Sequence, residues 1–235
     1  MLSQTAIRSD ISRHQARNGR PISHPALSSS IEADSFENQM QLMGAVMPYS
    51  RNVEIFGETD PAEYIYKVVS GAVRSYKILS DGRRQIGGFY LPGDVFGLEF
   101  GDEHTLSAEA ITDTKVLVVK RSTLAALAAR DTAAARELYQ FTARELRRAQ
   151  ERMLLLIKSA QERVASFLLE MTARAPASNA IELPMSRQDI ADYLGLTIET
   201  VSRTLTSLES AATIEVATSR RIVLRNRSAL NRLNG

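Results

Sequence analysis

The chain has 235 residues, 44% of them hydrophobic, a formal net charge of +2 and no cysteine. That length fits two domains of modest size with ordinary cores, and the missing thiols exclude disulfides, thiolate metal centres, cysteine-ligated clusters and thiol redox sensing in this sequence. So small a net charge does not by itself argue for a nucleic-acid partner, and no apolar run approaches transmembrane length.

Residues 1–35 carry Ser, Arg and His with little periodicity and read as a tail. It has arginines but no apolar core segment, so no secretory signal is read there and the expected location is the cytoplasm, away from any membrane. His14 and His24 read as solvated side chains rather than as ligands.

Residues 36–121 form the next predicted domain. β-prone runs at 64–71, 72–79, 84–91 and 115–120 are punctuated by turn signals at Gly57, Gly71, Asp81-Gly82, Pro92-Gly93 and Gly101. Regularly spaced short strands predict an all-β sandwich or barrel, with Asp81-Gly82 the strongest hairpin signal.

Residues 122–160 are predicted as a linker and a long dimerisation helix. Thr142, Leu146, Ala149, Met153, Leu156 and Ala160 recur in alternating steps of four and three, which is a heptad seam. Leu138, Phe141 and Leu155 lie on other faces. A helix with apolar residues on several faces needs several surfaces to pack on, here the β domain and a second copy of the chain.

Residues 161–235 are predicted to be a winged helix-turn-helix domain. Ser186, with Asp189 three positions on, marks a helix start before the apolar patch of Ile190, Ala191 and Leu194. Gly195 supplies the left-handed turn and Thr197 can cap the next helix. Val201, Leu205 and Leu208 form that helix's buried stripe, which leaves Ile198, Glu199, Ser202, Arg203 and Thr206 on the opposite face.

The chemistry of that face suits base reading. Arg203 can donate two parallel hydrogen bonds to guanine, Glu199 can accept from the cytosine amino group, and Ile198 can touch a thymine methyl. Ser202 can donate to a base or a phosphate. A carboxylate on a DNA-facing surface costs affinity unless it reads a base. The bland alternative is a solvated face on which Glu199 and Arg203 pair with each other. Beyond Ser210, Ile214–Val216 and Ile222–Leu224 flank a turn and read as the wing. Ser186, Arg187, Thr197, Thr200, Arg220 and Arg221 are the candidates for DNA backbone contact.

β-roll, long dimer helix and winged helix-turn-helix, in that order over about residues 40 to 230, resemble the CRP/FNR superfamily of bacterial transcription regulators. The most specific stretch is DIADYLGLTIETVSR, in which Glu199, Ser202 and Arg203 match the E-x-x-S-R signature of the FNR/FixK branch. The resemblance implies an α+β chain with a cyclic-nucleotide-binding-like jelly roll. It implies a homodimer on palindromic double-stranded DNA with TTG-type half-sites, Arg203 reading the G and Glu199 the complementary C. It also implies recruitment of RNA polymerase.

Two departures point within the superfamily. Members that bind cAMP carry a G-E-L segment and an Arg-Ser pair, where this chain has Gly97-Leu98-Glu99 and Thr105-Leu106-Ser107-Ala108. A phosphate without its guanidinium loses a strong bidentate bond, so tight cyclic-nucleotide binding is not expected. FNR proper uses N-terminal cysteines for its cluster, and this chain has none. The resemblance is therefore to FixK-type regulators, which need no bound cofactor and control low-oxygen respiration, denitrification or nitrogen fixation. The rival with the same fold is an effector-gated regulator whose roll binds a small ligand or haem. Its polar candidates are Arg83, Arg84 and His104, which otherwise read as parts of solvated hairpins. An enzyme is the remotest reading, given three scattered histidines, no cysteine, no phosphate-cradling glycine loop and no nucleophile motif.

Overall fold

The computed structural model describes residues 36–155, 157–174 and 179–234. The predicted tail with His14 and His24, the seam residue Leu156 and most of the 175–179 loop lie outside the described residues.

Helix α1 (Phe36–Met43) leads into β1 (Ala45–Tyr49), β2 (Glu54–Phe56), β3 (Tyr64–Ser70), β4 (Val73–Ile78), β5 (Arg84–Tyr90), β6 (Val95–Phe96), β7 (Ser107–Ala110) and β8 (Thr114–Lys120). These strands form two four-stranded antiparallel sheets, ordered β1-β8-β3-β6 and β2-β7-β4-β5. Strand alternation sorts their side chains. Tyr66, Val68, Val73 and Val116 fill the interior of the roll with Phe56 and Phe96. Ile65, Leu117 and Val119 point outward and are covered by Phe36, Met40, Leu124 and Leu127 of the flanking helices. The predicted β domain is thus a roll, and its strongest turn holds Gly82 at φ 81°.

One irregularity in β5 decides how the halves of the chain meet. Ser75 lies opposite Gly88 and Tyr76 opposite Ile86, so Gly87 is an extra residue in the ladder. Residues three apart on a regular strand face opposite ways; the bulge brings Ile86 and Phe89 to the same outer face. A Cβ on Gly87 would lie 2.6 Å from Leu106 Cδ1, so glycine is required there while Leu106 keeps its place.

Helices α2 (Arg121–Arg130) and α3 (Thr132–Leu155) follow. Asp131 separates them and caps α3, its Oδ1 accepting from the Ala133 and Ala134 amides at 2.8 and 3.3 Å. The predicted continuous seam is corrected at its far end, because α3 stops at Leu155 and Ala160 opens the next helix, α4 (Ala160–Arg174). The cause is a capping box. The Ser159 amide donates to Glu162 Oε2 at 2.6 Å, and the Glu162 amide donates to Ser159 Oγ at 3.4 Å. This local start signal overrides the heptad.

The C-terminal part continues with β9 (Ala180–Glu182), α5 (Arg187–Leu194), α6 (Ile198–Ser210), β10 (Ile214–Val216), β11 (Arg221–Leu224) and α7 (Arg227–Asn234). Its sheet is ordered β10-β11-β9, so the foreseen hairpin gains a third strand. α7 seats Leu230 in the core.

A single apolar core runs from the outer face of β5 into this domain. Phe89 contacts Phe167 of α4 and Tyr193 of α5 at ring distances of 6.3 and 5.1 Å. Phe167 is fully buried between them. We predict that Phe167→Ala lowers unfolding free energy by about 3–5 kcal/mol. Chemical denaturation followed by circular dichroism measures it; a loss below about 1 kcal/mol, the scale of a surface substitution, contradicts the shared core.

Candidate nucleic-acid interface

The helix-turn-helix is built by local signals. The Asp189 amide donates to Ser186 Oγ at 3.1 Å and the Ser186 amide donates back to Asp189 Oδ2 at 2.9 Å, a complete capping box on α5. Gly195 ends α5 in the left-handed region, at φ 64°. Thr197 then caps α6, its Oγ1 accepting from the Thr200 amide at 3.2 Å. Ile190, Ala191, Leu194, Val201, Leu205 and Leu208 bury the contact between the two helices.

α6 turns its polar face to solvent. Ile198, Glu199, Arg203 and Thr206 are exposed and Ser202 is half-buried. Glu199 and Arg203 make no ion pair with each other; Arg203 Nη2 lies 3.5 Å from Thr200 Oγ1. The Glu199 carboxyl is held below its usual range, first by its own backbone amide, then by the Thr197 hydroxyl and the charge of Arg203. It is therefore an ionised acceptor at neutral pH, one turn from an exposed guanidinium. That combination can address both bases of a G·C pair.

The candidate backbone contacts surround this face. Ser186 and Arg187 open α5 half-buried, Thr197 is exposed, and Thr200 is half-buried beside Arg203. In the wing, Thr218 Oγ1 accepts from the amides of Arg220 and Arg221 at 3.3 and 3.0 Å, which shapes the turn. Arg221 lies 3.7 Å from Glu182, and Arg225 pairs with Glu215. The Arg220 guanidinium has no ion pair among the described residues. Gln161 of α4 was not foreseen; it lines a concavity with Thr200, Arg203, Thr204 and Ser207. Its signal was the Ser159–Glu162 box, which starts α4 and so places Gln161 in its first turn.

Of the seam residues, Thr142, Leu146 and Met153 are exposed on α3 and Ala149 is half-buried. Leu146 and Met153 keep 60% and 68% of their surface in solvent, so this chain alone leaves the stripe uncovered.

The polar residues of the roll need correction. Arg83 is solvated and pairs with Asp81 at 2.7 Å, as a hairpin residue should. Arg84 does not: it bonds to Asp189 and Asp192 of α5 at 2.6 and 2.9 Å. His104 is buried and stacked on Phe56 at 3.6 Å, which lowers its pKa and favours the neutral ring. The two departures arise because the outer face of β5 is an interior surface, and because the loop after β6 folds back over the aromatic core.

The residues of the roll do not fit a cyclic phosphate. Glu99 is engaged by the Thr105 amide and hydroxyl at 3.3 and 3.2 Å. Leu106 fills the space above Gly87, and the segment from Gly97 to Ala108 contains no Arg or Lys. No helix among the described residues is long and apolar enough to cross a membrane.

A roll followed by a winged helix-turn-helix with an open polar recognition face defines a DNA-binding transcription regulator. Comparison with known proteins agrees. The model of the cyclic nucleotide-binding domain matches residues 46–131, and that of the Crp-like helix-turn-helix domain matches residues 162–233. The chain is 53% identical over 198 residues to the nitrogen fixation regulation protein FixK of Azorhizobium caulinodans, covering 82% of this chain and 80% of that protein. It is 41% identical to FixK of Rhizobium meliloti over 80% of this chain and 86% of that one. The solved structure of FixK2 from Bradyrhizobium japonicum superposes with a TM-score of 0.79 at 56% identity, over 82% of this chain and 98% of that chain. The chain belongs to the CRP/FNR superfamily, within its FixK-type branch.

Proposed function

We propose that the chain acts as a homodimer, mainly as a transcription activator, on palindromic DNA with TTG-type half-sites. It recruits RNA polymerase without an obligatory cofactor and serves low-oxygen or nitrogen-fixation gene control in the cytoplasm. The observation that carries this reading is the exposed, mutually unpaired Glu199 and Arg203 on α6. Arg203 reads guanine, Glu199 the paired cytosine, Ile198 a thymine methyl, and Ser202 a neighbouring base or phosphate. Arg187, Arg220 and Arg221 fix orientation on phosphates with Ser186, Thr197 and Thr200.

Two further features support it. The uncovered stripe on α3 suits a second copy of the same helix, and two reading heads suit a two-fold operator. The poor fit to a cyclic phosphate supports activity without that ligand. The FixK relatives are named as regulators of nitrogen fixation, which supports the biological assignment.

Selection of bound duplexes from a random pool, with no effector added, tests the reading. The expected product is a palindrome with half-site centres about 34 Å apart; enrichment of no sequence refutes it. Arg203→Ala should cost about 1–3 kcal/mol on that site and relax preference at one base pair. Arg220→Ala should instead weaken all sequences alike and flatten the salt dependence by about one unit. Anisotropy titrations at several salt concentrations separate these patterns, and equal loss from Arg203→Ala on random DNA demotes it to a phosphate contact. Leu146→Glu places a charge on the stripe and should give a monomer by light scattering; an intact dimer removes the stripe from the interface.

A further inference from the structure

The outer face of β4 and β5 carries two arginines next to the bulge, and both reach across to α5. Arg74 Nη1 donates to Asp189 Oδ1 at 2.9 Å while its Nη2 donates to Glu109 at 2.9 Å. Arg84 Nη2 donates to the same Asp189 oxygen at 2.6 Å, and its Nε donates to Asp192 Oδ2 at 2.9 Å. The Gln85 side-chain amide adds a bond to the Asp192 carbonyl at 2.8 Å. The side chains of Asp189, Arg74 and Asp192 are exposed by only 3, 10 and 13%, and that of Arg84, at the edge of the cluster, by 24%. Asp189 Oδ2 stays within the capping box of α5.

Apolar contact between β5 and α5 is non-directional and tolerates sliding or rotation. Planar guanidinium groups with fixed donor directions do not. Four charged side chains on two strands and one helix therefore define one orientation of α5 on the roll. α6 packs on α5, so that orientation also aims α6. None of Glu199, Ser202 and Arg203 belongs to the cluster, and Glu199 and Arg203 stay exposed.

We infer that Arg74 and Arg84 are positioning residues for DNA recognition: with Asp189 and Asp192 they lock the α5–α6 unit on the β-roll in the arrangement that presents two reading heads at operator spacing. The inference rests on the dimeric, palindrome-reading function proposed above. The lock is covalently part of the chain, so the aim of α6 needs no ligand.

Asp189 also caps α5, so Arg84 and Asp192 are the positions to test. The full-length proteins are the parent, Arg84→Glu, Asp192→Arg, the Arg84→Glu/Asp192→Arg double variant and the milder Arg84→Gln. Affinity is measured for the full palindrome and for a duplex holding one half-site. Arg84→Glu should weaken palindrome binding by about tenfold or more and half-site binding by less than about twofold, since one head needs no fixed spacing. The double variant should recover part of the loss through an ion pair of reversed sense, while the carboxylate placed at position 84 still faces Asp189 Oδ1 and keeps the recovery incomplete. Equal losses on both duplexes would mean a merely structural role and overturn the proposal, as would unchanged or tighter palindrome binding. Arg84→Gln gives the same comparison should the reversed charge prevent folding.

A readout independent of DNA separates this idea from the function on which it rests. The chain has no cysteine, so spin labels on Glu103→Cys and Ser219→Cys, with the labelled protein diluted in an excess of the same unlabelled variant so that few dimers carry two labelled protomers, report the distance from roll to wing. Arg84→Glu should broaden that distance distribution even if the parent prefers no palindrome, a result that removes the proposed function alone. An unbroadened distribution removes the lock.

Discussion

The carboxylate of Asp189 carries two obligations at once. One oxygen accepts from the Ser186 amide and hydroxyl and so starts α5; the other accepts from Arg74 and Arg84 and so seats α5 on the roll. A carboxylate this deeply buried is tolerated only when its lone pairs are filled by charged or strongly polar donors. Helix initiation and domain docking therefore draw on the same side chain. Arg74 is in turn held by Glu109, its cross-strand partner on β7, so the constraint runs from the sheet to the first helix of the DNA-binding unit.

The far end of that unit is tied in a related way. Arg163 donates from Nε to the Lys158 carbonyl and from Nη1 to the Leu194 carbonyl, both at 3.0 Å. It thereby joins the turn between α3 and α4 to the last turn of α5, where helical carbonyls lack intrahelical donors. Lys158 reaches Asn234 at the end of α7. The orphan groups of helix termini, which must find partners somewhere, are used here as fasteners between α3, α4, α5 and α7. α6 is the exception: its caps are local, and its polar face is left to solvent.

Much of this was legible in the sequence wherever one short-range rule acted alone. Ser186, Asp189, Gly195 and Thr197 each report a backbone requirement within four residues, and the stripe of Val201, Leu205 and Leu208 needs only helical periodicity. The turns at Gly71, Gly82 and Gly93 are of the same kind. The heptad count failed at Ala160 because two local signals competed and the Ser159–Glu162 box won. Strands β1, β2, β6 and β7 were not foreseen, being short or poor in β-branched residues, and their existence depends on neighbours distant in sequence. Arg84 was misread for a deeper reason. Solvation of a hairpin residue is decided by what packs against the sheet, and the bulge at Gly87 that exposes the docking face is visible only in the register.

The two kinds of contact between roll and helix-turn-helix do different things, and neither could replace the other. Burying Phe89 against Phe167 and Tyr193 supplies the adhesion, since apolar area removed from water stabilises at about 25 cal/mol per Å² whatever its direction. The ion cluster adds little net adhesion, because desolvating Arg74, Asp189, Arg84 and Asp192 offsets most of their attraction. What it adds is intolerance of every other arrangement: a rotation of α5 would leave a carboxylate or a guanidinium buried and unpaired, at a cost of several kcal/mol. A reading helix gains from that steepness more than from extra affinity between domains, because base recognition fails over displacements that an oily contact would hardly resist.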